Sequence, residues 1–329
     1  MRIALYGCKI YDRTFFEPLS QEYGYEMIFI EDRLNHETIP LAGGCDAVCL
    51  FVNESVTADI VQELEHLGVR AILLRCAGYN HVDLSACAGR MKVYHVPSYS
   101  PEAVAEFAAA QLLCTNRRLH RAYNRTRDFN MNISGLMGIT LYGKCAGVVG
   151  TGRIGQAMIR ILQGFGMEVI AYDPYPNENL DVRYVSLKAL CQQADVISLH
   201  CPLTKETHHM LDGKMFEQMK KGVYLVNTSR GGLINTVDLI EALKKGTFGG
   251  VALDVYEEEE GLFYEDRSDD IIRDDNLARL MTFPNVLITS HQGFFTMEAM
   301  RAIAITTLEN AKSLELDRET ANEVTIKEV

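Results

Sequence analysis

The sequence predicts an α/β protein of two doubly wound, parallel-sheet domains. Three observations carry that expectation. The chain has 329 residues, enough for two domains at roughly 100–200 residues each. Two regions alternate short, β-rich apolar runs with amphipathic helical patterns. The runs of the second region are apolar at consecutive rather than alternate positions. That pattern means burial on both faces, as in a parallel sheet covered by helices.

The first region spans residues 2–100. Its strand candidates are RIALYG (2–7), EMIFI (26–30), DAVCLFV (46–52), VRAILLR (69–75) and KVYHVP (92–97). Helical patterns lie between them, such as TADIVQELEHLG, with Thr57 placed to cap its start. The second region begins near 145. Its strand candidates are CAGVVG (145–150), EVIAYD (168–173), DVISLH (195–200), GVYLVNT (222–228), GGVALDV (249–255) and NVLITSH (285–291). The crossovers that parallel strands require come from patterns such as IGQAMIRILQGFG and TVDLIEALKKG. A long helical pattern at 101–123 opens with Pro101, suited to a first helical turn. Another at 296–315 follows the last strand. Its return to the first domain would make that domain discontinuous, 1–100 with 299–329, around a second domain of 101–298.

Composition narrows the function. Hydrophobic residues are 47% and charged residues 23%, ordinary for a globular protein. The net charge of −12 makes nucleic acid or an anionic membrane an unlikely partner class. No apolar run reaches the ~18–20 residues needed to span a bilayer. The start, MRIALYGCKI, lacks the longer apolar region and cleavage site of a signal peptide. The nine cysteines are odd in number and form no C-x-x-C. They fit core thiols in a reduced cytoplasm rather than disulfides or a zinc site.

The most informative local motif is Gly150-Thr151-Gly152-Arg153-Ile154-Gly155. It follows a buried strand and opens a helix, the context of a dinucleotide-binding turn. Gly150 serves the tight turn, Gly152 lets a pyrophosphate approach the backbone, and Gly155 lets helix and strand pack closely. The next strand ends at Asp173, at the spacing of an acid that binds the ribose hydroxyls and repels a 2′-phosphate. NAD, rather than NADP, is the expected cofactor. The remaining strands end at His200, Asn227 to Arg230, Asp254 and His291. Polar groups therefore collect at the carboxyl-terminal rim, where doubly wound sheets bind ligands. Arg230, in VNTSRGG, suits bidentate binding of a carboxylate and polarisation of a carbonyl. His291 suits proton transfer if a carboxylate lies near it, and Glu259 is a candidate for that carboxylate. The adjacent pair His208-His209 is not expected to chelate, and no metal is expected.

These residues resemble the D-isomer-specific 2-hydroxyacid dehydrogenases over essentially the whole chain. The matching blocks include RCAGYNHVDL (75–84), VPSYSPEAVAEF (96–107), GVVGTGRIG (147–155), ISLHCPLT (197–204), VNTSRGGLI (226–234), ALDVYEEEEGLFYED (252–266) and ITSHQGFFT (288–296). Within the family the chain looks closest to the fermentative enzymes that form D-lactate. The resemblance implies a flavodoxin-like substrate domain and a Rossmann NAD-binding domain, with the substrate between them. It places the catalytic Arg, Glu and His on Arg230, Glu259 and His291. It implies that Arg153 and Ile154 lie by the pyrophosphate, that His200, Cys201 and Pro202 flank the cofactor, and that Asn227, Thr228 and Asp254 lie by the nicotinamide. It further implies that Cys76, Ala77 and Gly78 offer amides to the substrate carboxylate. Phe51, at the end of DAVCLF, would close the pocket over the substrate's methyl group, with Tyr99 and Phe295 as further walls. The implied reaction is reversible reduction of pyruvate to D-lactate by NADH. The implied setting is a cytoplasmic homo-oligomer, a dimer or tetramer. Two alternatives stay open: a dehydrogenase for a larger 2-oxo acid, and a non-catalytic NAD(H)-sensing regulator.

Overall fold

The computed structural model describes residues 1–52 and 54–325, and in it the chain divides into two units. One is Met1–Ser100 with Phe295–Val329, and the other is Pro101–Phe294. The first unit holds β1 (Arg2–Leu5), β2 (Glu26–Phe29), β3 (Ala47–Leu50), β4 (Ala71–Leu74) and β5 (Lys92–Tyr94). They form one parallel sheet in the order β2-β1-β3-β4-β5, the flavodoxin-like arrangement. Successive residues point to opposite faces, and both faces are covered. Ala4, Val48, Leu50, Ile72 and Leu74 pack with Ile60, Val61 and Leu64 of the helix Ala58–His66. Ile3, Leu5, Cys49, Ala71 and Leu73 pack on the other side with Phe16 and Leu19 of the helix Ile10–Tyr23 and Ala304, Leu308 and Ala311 of the helix Met297–Glu315. Hence the strands read as continuous apolar runs. Cys45 and Cys49 join different clusters, and burial pushes the Cys49 thiol up to about 12.

The second unit holds β6 (Cys145–Val149), β7 (Glu168–Tyr172), β8 (Arg183–Tyr184), β9 (Val196–Leu199), β10 (Val223–Asn227), β11 (Phe248–Leu253) and β12 (Val286–Ile288). Their order is β12-β11-β10-β9-β6-β7-β8, all parallel. This is the Rossmann order 3-2-1-4-5-6 with a seventh strand at the far edge. The strand order reverses between β6 and β9, so a cleft opens beyond Val149 and Leu199.

Four local readings change. β8 leaves no mark in the sequence, because two residues carry no periodicity. The helical pattern at 101–123 is two helices, Pro101–Arg117 and Leu119–Arg127, broken at Arg118 with φ 52°. The Arg118 guanidinium donates to the carbonyls of Pro284 and Gly249, which draws the chain out of helical geometry. Phe51 follows β3 rather than ending it, and the Thr57 hydroxyl turns to Asp59 instead of capping its helix.

The glycine turn shows what each position requires. Gly150 has φ 91°, a left-handed conformation that disfavours side chains. A Cβ on Gly155 would lie 2.0 Å from the Gly150 carbonyl oxygen, whereas one on Gly152 would meet nothing within 4 Å. The space at Gly152 suits a ligand, and the contact at Gly155 is internal packing. Gly155→Ala should therefore lower stability by about 1–3 kcal/mol through overpacking. Gly152→Ala should leave the melting temperature nearly unchanged yet weaken dinucleotide binding. Thermal unfolding and NADH fluorescence titration of both variants check this, and equal melting temperatures would contradict it.

Candidate active site

The carboxyl-terminal ends of β10, β11 and β12 are joined by a chain of hydrogen bonds. Asn227, the last residue of β10, donates from Nδ2 to the Arg230 carbonyl at 2.8 Å. Its own carbonyl accepts from the Asp254 N–H at 2.9 Å. The Asp254 carbonyl accepts from the His291 N–H at 2.7 Å. His291 Nδ1 lies 2.7 Å from Glu259 Oε1, and Glu259 Oε2 accepts from the Tyr256 N–H at 2.9 Å. Arg230, His291 and Glu259, far apart in sequence, thus hang from one rim.

The His–Glu contact sets the chemistry of the ring. An ionised carboxylate only accepts, so Nδ1 carries the proton and Nε2 is left to exchange a proton with a ligand. The main chain of His291 is further held by the Tyr264 hydroxyl, which donates to its carbonyl at 2.7 Å. His291 has φ 54°, uncommon for a residue with a side chain. Such strain of about 1–3 kcal/mol persists only where surrounding bonds enforce it.

Asp254 supplies those bonds. It is 1% exposed. Its Oδ1 accepts from the Thr289 hydroxyl at 2.5 Å and the Gln292 N–H at 2.9 Å, and its Oδ2 from the Gly293 N–H at 2.7 Å. Thr289 in turn accepts from Gln111 at 2.7 Å. Burial pushes the Asp254 carboxyl up, against the pull of these donors and of His291. Asp254 therefore holds the turn that presents His291. Nothing in the sequence singles out Thr289, Gln111 or Tyr264 as supports of this rim. Thr289 sits two residues before His291 in the same strand run, but its partner is 35 positions away.

Arg230 is half-buried and extended at the start of a 3-10 turn, with Nη1 donating to the Ser229 carbonyl. Ser229 Oγ donates to the Cys201 carbonyl at 2.6 Å, tying this loop to the one after β9. Burial pushes the Cys201 thiol up to about 11, and Pro202 is exposed beside it. His200 Nε2 lies 2.8 Å from Ser198 Oγ, and desolvation lowers its imidazole to about 4, leaving it neutral at pH 7. Thr228 is 7% exposed, and its hydroxyl has no hydrogen-bond partner among the described residues. An orphan polar atom at the rim, with the open cradle at Gly152, fits a polar cofactor lying along this edge. Arg153 and Ile154 open the helix Arg153–Gly164, whose start has no side-chain cap and whose first amides lack intrahelical partners, as a phosphate-binding helix start requires.

Asp173 is engaged within the protein. Its Oδ2 accepts from the Thr151 N–H and hydroxyl at 2.7 and 2.9 Å, and its Oδ1 from the Tyr175 N–H at 2.9 Å. A carboxylate has about four lone-pair sites, so room remains for a ribose hydroxyl. In the first unit, Phe51, Cys76–Gly78 and Tyr99 follow β3, β4 and β5 at the carboxyl-terminal rim of that sheet. The Cys76 thiol donates to the Gly78 carbonyl, and His95 Nδ1 bonds the Ala77 carbonyl at 2.8 Å. Phe295 is 49% exposed and packs edge-on against Tyr11.

One group among the described residues brings metal-ligating atoms together: His208, His209 and Glu257. Asn235 donates from Nδ2 to His209 Nδ1, because its Oδ1 is already the helix cap for Asp238. The His209 proton therefore sits on Nε2, facing Glu257. Burial pushes Glu257 up, but His209 and Thr236 outweigh it and hold the carboxyl low. The pair anchors the strand-to-loop turn two residues before Glu259.

Asp254→Asn should disrupt this rim. An amide oxygen can serve the donors on one side only, and its NH2 would face a donor on the other. A loss of about 1–3 kcal/mol in stability is expected for the unsatisfied buried group. Turnover should fall further than that loss of folded protein explains. Urea unfolding beside steady-state kinetics checks both.

Comparison with known proteins identifies the architecture. The model of the D-isomer specific 2-hydroxyacid dehydrogenase NAD binding domain matches residues 109–293. The chain is 50% identical over 328 residues to the D-lactate dehydrogenase of Escherichia coli, covering 98% of this chain and 100% of that one. The apo-structure of the Escherichia coli enzyme superposes with a TM-score of 0.91 at 47% identity, covering 99% and 100% of the two chains. The NAD-complexed D-isomer specific 2-hydroxyacid dehydrogenase of Lactobacillus delbrueckii ssp. bulgaricus superposes with a TM-score of 0.84 at 29% identity, covering 99% and 100%. A glycine turn on a Rossmann sheet, a His–Glu pair on its rim and this similarity along the whole chain lead to one assignment. The chain belongs to the D-isomer-specific 2-hydroxyacid dehydrogenase family and is an NAD-dependent oxidoreductase.

Proposed function

We propose that this protein is a D-lactate dehydrogenase that reduces pyruvate with NADH, reversibly. The observation that carries the reading is the 2.7 Å contact of His291 Nδ1 with Glu259, which leaves Nε2 for the substrate oxygen. Arg230 holds the substrate carboxylate and polarises the keto oxygen, where negative charge develops. When bound, NADH supplies the hydride. Protonated His291 gives its Nε2 proton to the nascent alkoxide, and in the oxidising direction neutral His291 takes it back. Glu259 keeps the ring in that orientation and balances its positive charge. We assign the Cys76–Gly78 amides to the substrate carboxylate, and Phe51, Tyr99 and Phe295 to its methyl group. Gly150, Gly152, Arg153, Ile154, Gly155, Asp173, His200, Cys201, Pro202, Asn227, Thr228 and Asp254 are assigned to the cofactor. The 50% identity to an enzyme named D-lactate dehydrogenase supports pyruvate as the substrate.

A panel of 2-oxo acids assayed with NADH and NADPH, with chiral analysis of the product, tests the reading. Pyruvate with NADH should be preferred and should yield D-lactate. Preference for 2-oxoisocaproate or phenylpyruvate would replace pyruvate with a larger substrate. His291→Ala should lower turnover by about 10²–10⁴-fold, the worth of a general acid. Asp173→Ala should narrow the NADH preference by weakening NADH binding, and equal use of both cofactors by the unaltered protein would remove Asp173 from the ribose.

We also propose a cytoplasmic homo-oligomer. No helix among the described residues is long and apolar enough to cross a membrane. The segment after the broken helix exposes Phe129 at 88%, Ile133 at 80% and Met137 at 90%. Apolar side chains bared in one stretch mark an association surface. Light scattering should give the mass of a dimer or tetramer, and Ile133→Asp with Met137→Asp should lower it. A monomeric unaltered protein would overturn this assignment.

A further inference from the structure

The first unit buries an ionic cluster that the proposed chemistry does not use. Arg75, directly before Cys76, is 4% exposed, and Asp12 and Glu54 are 2% and 3% exposed. Arg75 Nε lies 3.4 Å from Asp12 Oδ1, and Nη2 donates to the Gly7 carbonyl at 3.2 Å. Asp12 is fixed in turn, its Oδ2 accepting from the Lys9 N–H at 2.9 Å at the start of its helix. Glu54 adds a second buried carboxylate beside the guanidinium: burial pushes its carboxyl up while Arg75 pulls it down.

This cluster converges on Phe51. The Phe51 N–H donates to Glu54 Oε2 at 2.9 Å. The Arg75 guanidinium carbon sits 5.2 Å from the centre of the Phe51 ring, within cation–π range. The Phe51 carbonyl bonds His81, whose imidazole is lowered to about 4 by burial and is therefore uncharged at neutral pH. One aromatic residue just past β3 is thus held at its amide, its carbonyl and its ring. Sheet geometry explains the convergence. β3 and β4 are neighbours in register, and the Arg75 N–H donates to the Leu50 carbonyl at 2.9 Å. Arg75 and Phe51 are consequently side by side at the strand ends.

We propose that Arg75, backed by Asp12 and Glu54, is a positioning residue that sets substrate size by holding the Phe51 ring in place. The proposal rests on the assignment of Phe51 to the substrate's methyl group. A flat guanidinium can lie against a ring and donate in its own plane at the same time, as the contacts to Phe51 and Gly7 require, while Asp12 pairs with its charge. A lysine at 75 keeps the charge between the two carboxylates but loses the plane. Phe51 would then be free to tilt, and longer substrates would fit.

The test uses the full-length Arg75→Lys, Phe51→Leu and doubly substituted proteins, with Asp12→Asn as a second way to loosen the guanidinium if Arg75→Lys folds poorly. Hydrogen exchange on the ligand-free proteins reads the clamp alone: Arg75→Lys should speed exchange of the Phe51 amide. Phe51→Leu should raise kcat/KM for 2-oxoisocaproate relative to pyruvate by about 10–200-fold, the range for a methylene-scale change in an apolar pocket. Arg75→Lys should raise the same ratio by about 2- to 30-fold, the range of a lost cation–π contact. NADH affinity should not change. The double variant should show no more than the Phe51→Leu effect, because Arg75 acts through that ring. Unchanged Phe51 exchange, an unchanged ratio in Arg75→Lys, an unchanged ratio in Phe51→Leu, or multiplying effects in the double variant would each overturn the proposal. Faster Phe51 exchange in a protein that reduces no 2-oxo acid would instead sink the D-lactate dehydrogenase reading, so the two failures are separable.

Discussion

The rim of the second sheet depends on one buried carboxylate. Asp254 takes three donors from the turn after β12, and its backbone bonds Asn227 on one side and His291 on the other. Burying a charge is unfavourable unless hydrogen bonds replace its water. Here the replacing donors are the Thr289 hydroxyl and the backbone of Gln292 and Gly293, so the requirement that the charge be satisfied becomes a requirement on the shape of the turn. The left-handed backbone of His291 follows from that shape. The strained conformation of His291 is thus maintained by hydrogen bonds to a buried carboxylate.

Parallel topology explains why the site lies at this end. Every strand of both sheets runs in the same direction within its sheet, so all carboxyl-terminal ends meet at one edge. Residues separated by more than sixty positions, Arg230 and His291, become neighbours along that edge through β10, β11 and β12. The opposite edge receives the ends of the helices and carries none of the assigned residues. The acidic run from Glu257 to Glu260 divides its labour accordingly: Glu257 is tied back to His209 and Thr236, and Glu259 to His291 and Tyr256. Neighbouring carboxylates thus face different partners, Glu257 the supporting loop and Glu259 the His291 ring.

The same design appears in the first sheet with opposite charge. There a buried guanidinium, not a carboxylate, ties strand ends together, joining Gly7 after β1 and Phe51 after β3 to Arg75 after β4. A cation suits this place because the groups around it are acceptors: two carboxylates, a carbonyl and a ring face. In the second unit the groups around Asp254 are donors. In each unit the charge at the rim is the complement of the backbone and side-chain atoms it gathers.

Much of this protein is legible in its sequence for a physical reason. Strands buried on both faces read as continuous apolar runs, and the turn at Gly150 to Gly155 has glycines for three reasons: a left-handed backbone at Gly150, open space at Gly152 and close internal packing at Gly155. Those features are local, so residue type and spacing suffice to find them. The family's motif blocks also placed candidate residues on Arg230, Glu259 and His291. What the linear order could not determine is which partners those residues take. That Asp254 holds the His291 turn, that Thr289 and Gln111 support Asp254, that Arg118 breaks a helix to reach Pro284, and that Arg75 lies against Phe51 all involve groups on different strands or helices. The energy of each contact depends on distance and burial created by packing, and only the folded sheets bring those atoms within reach.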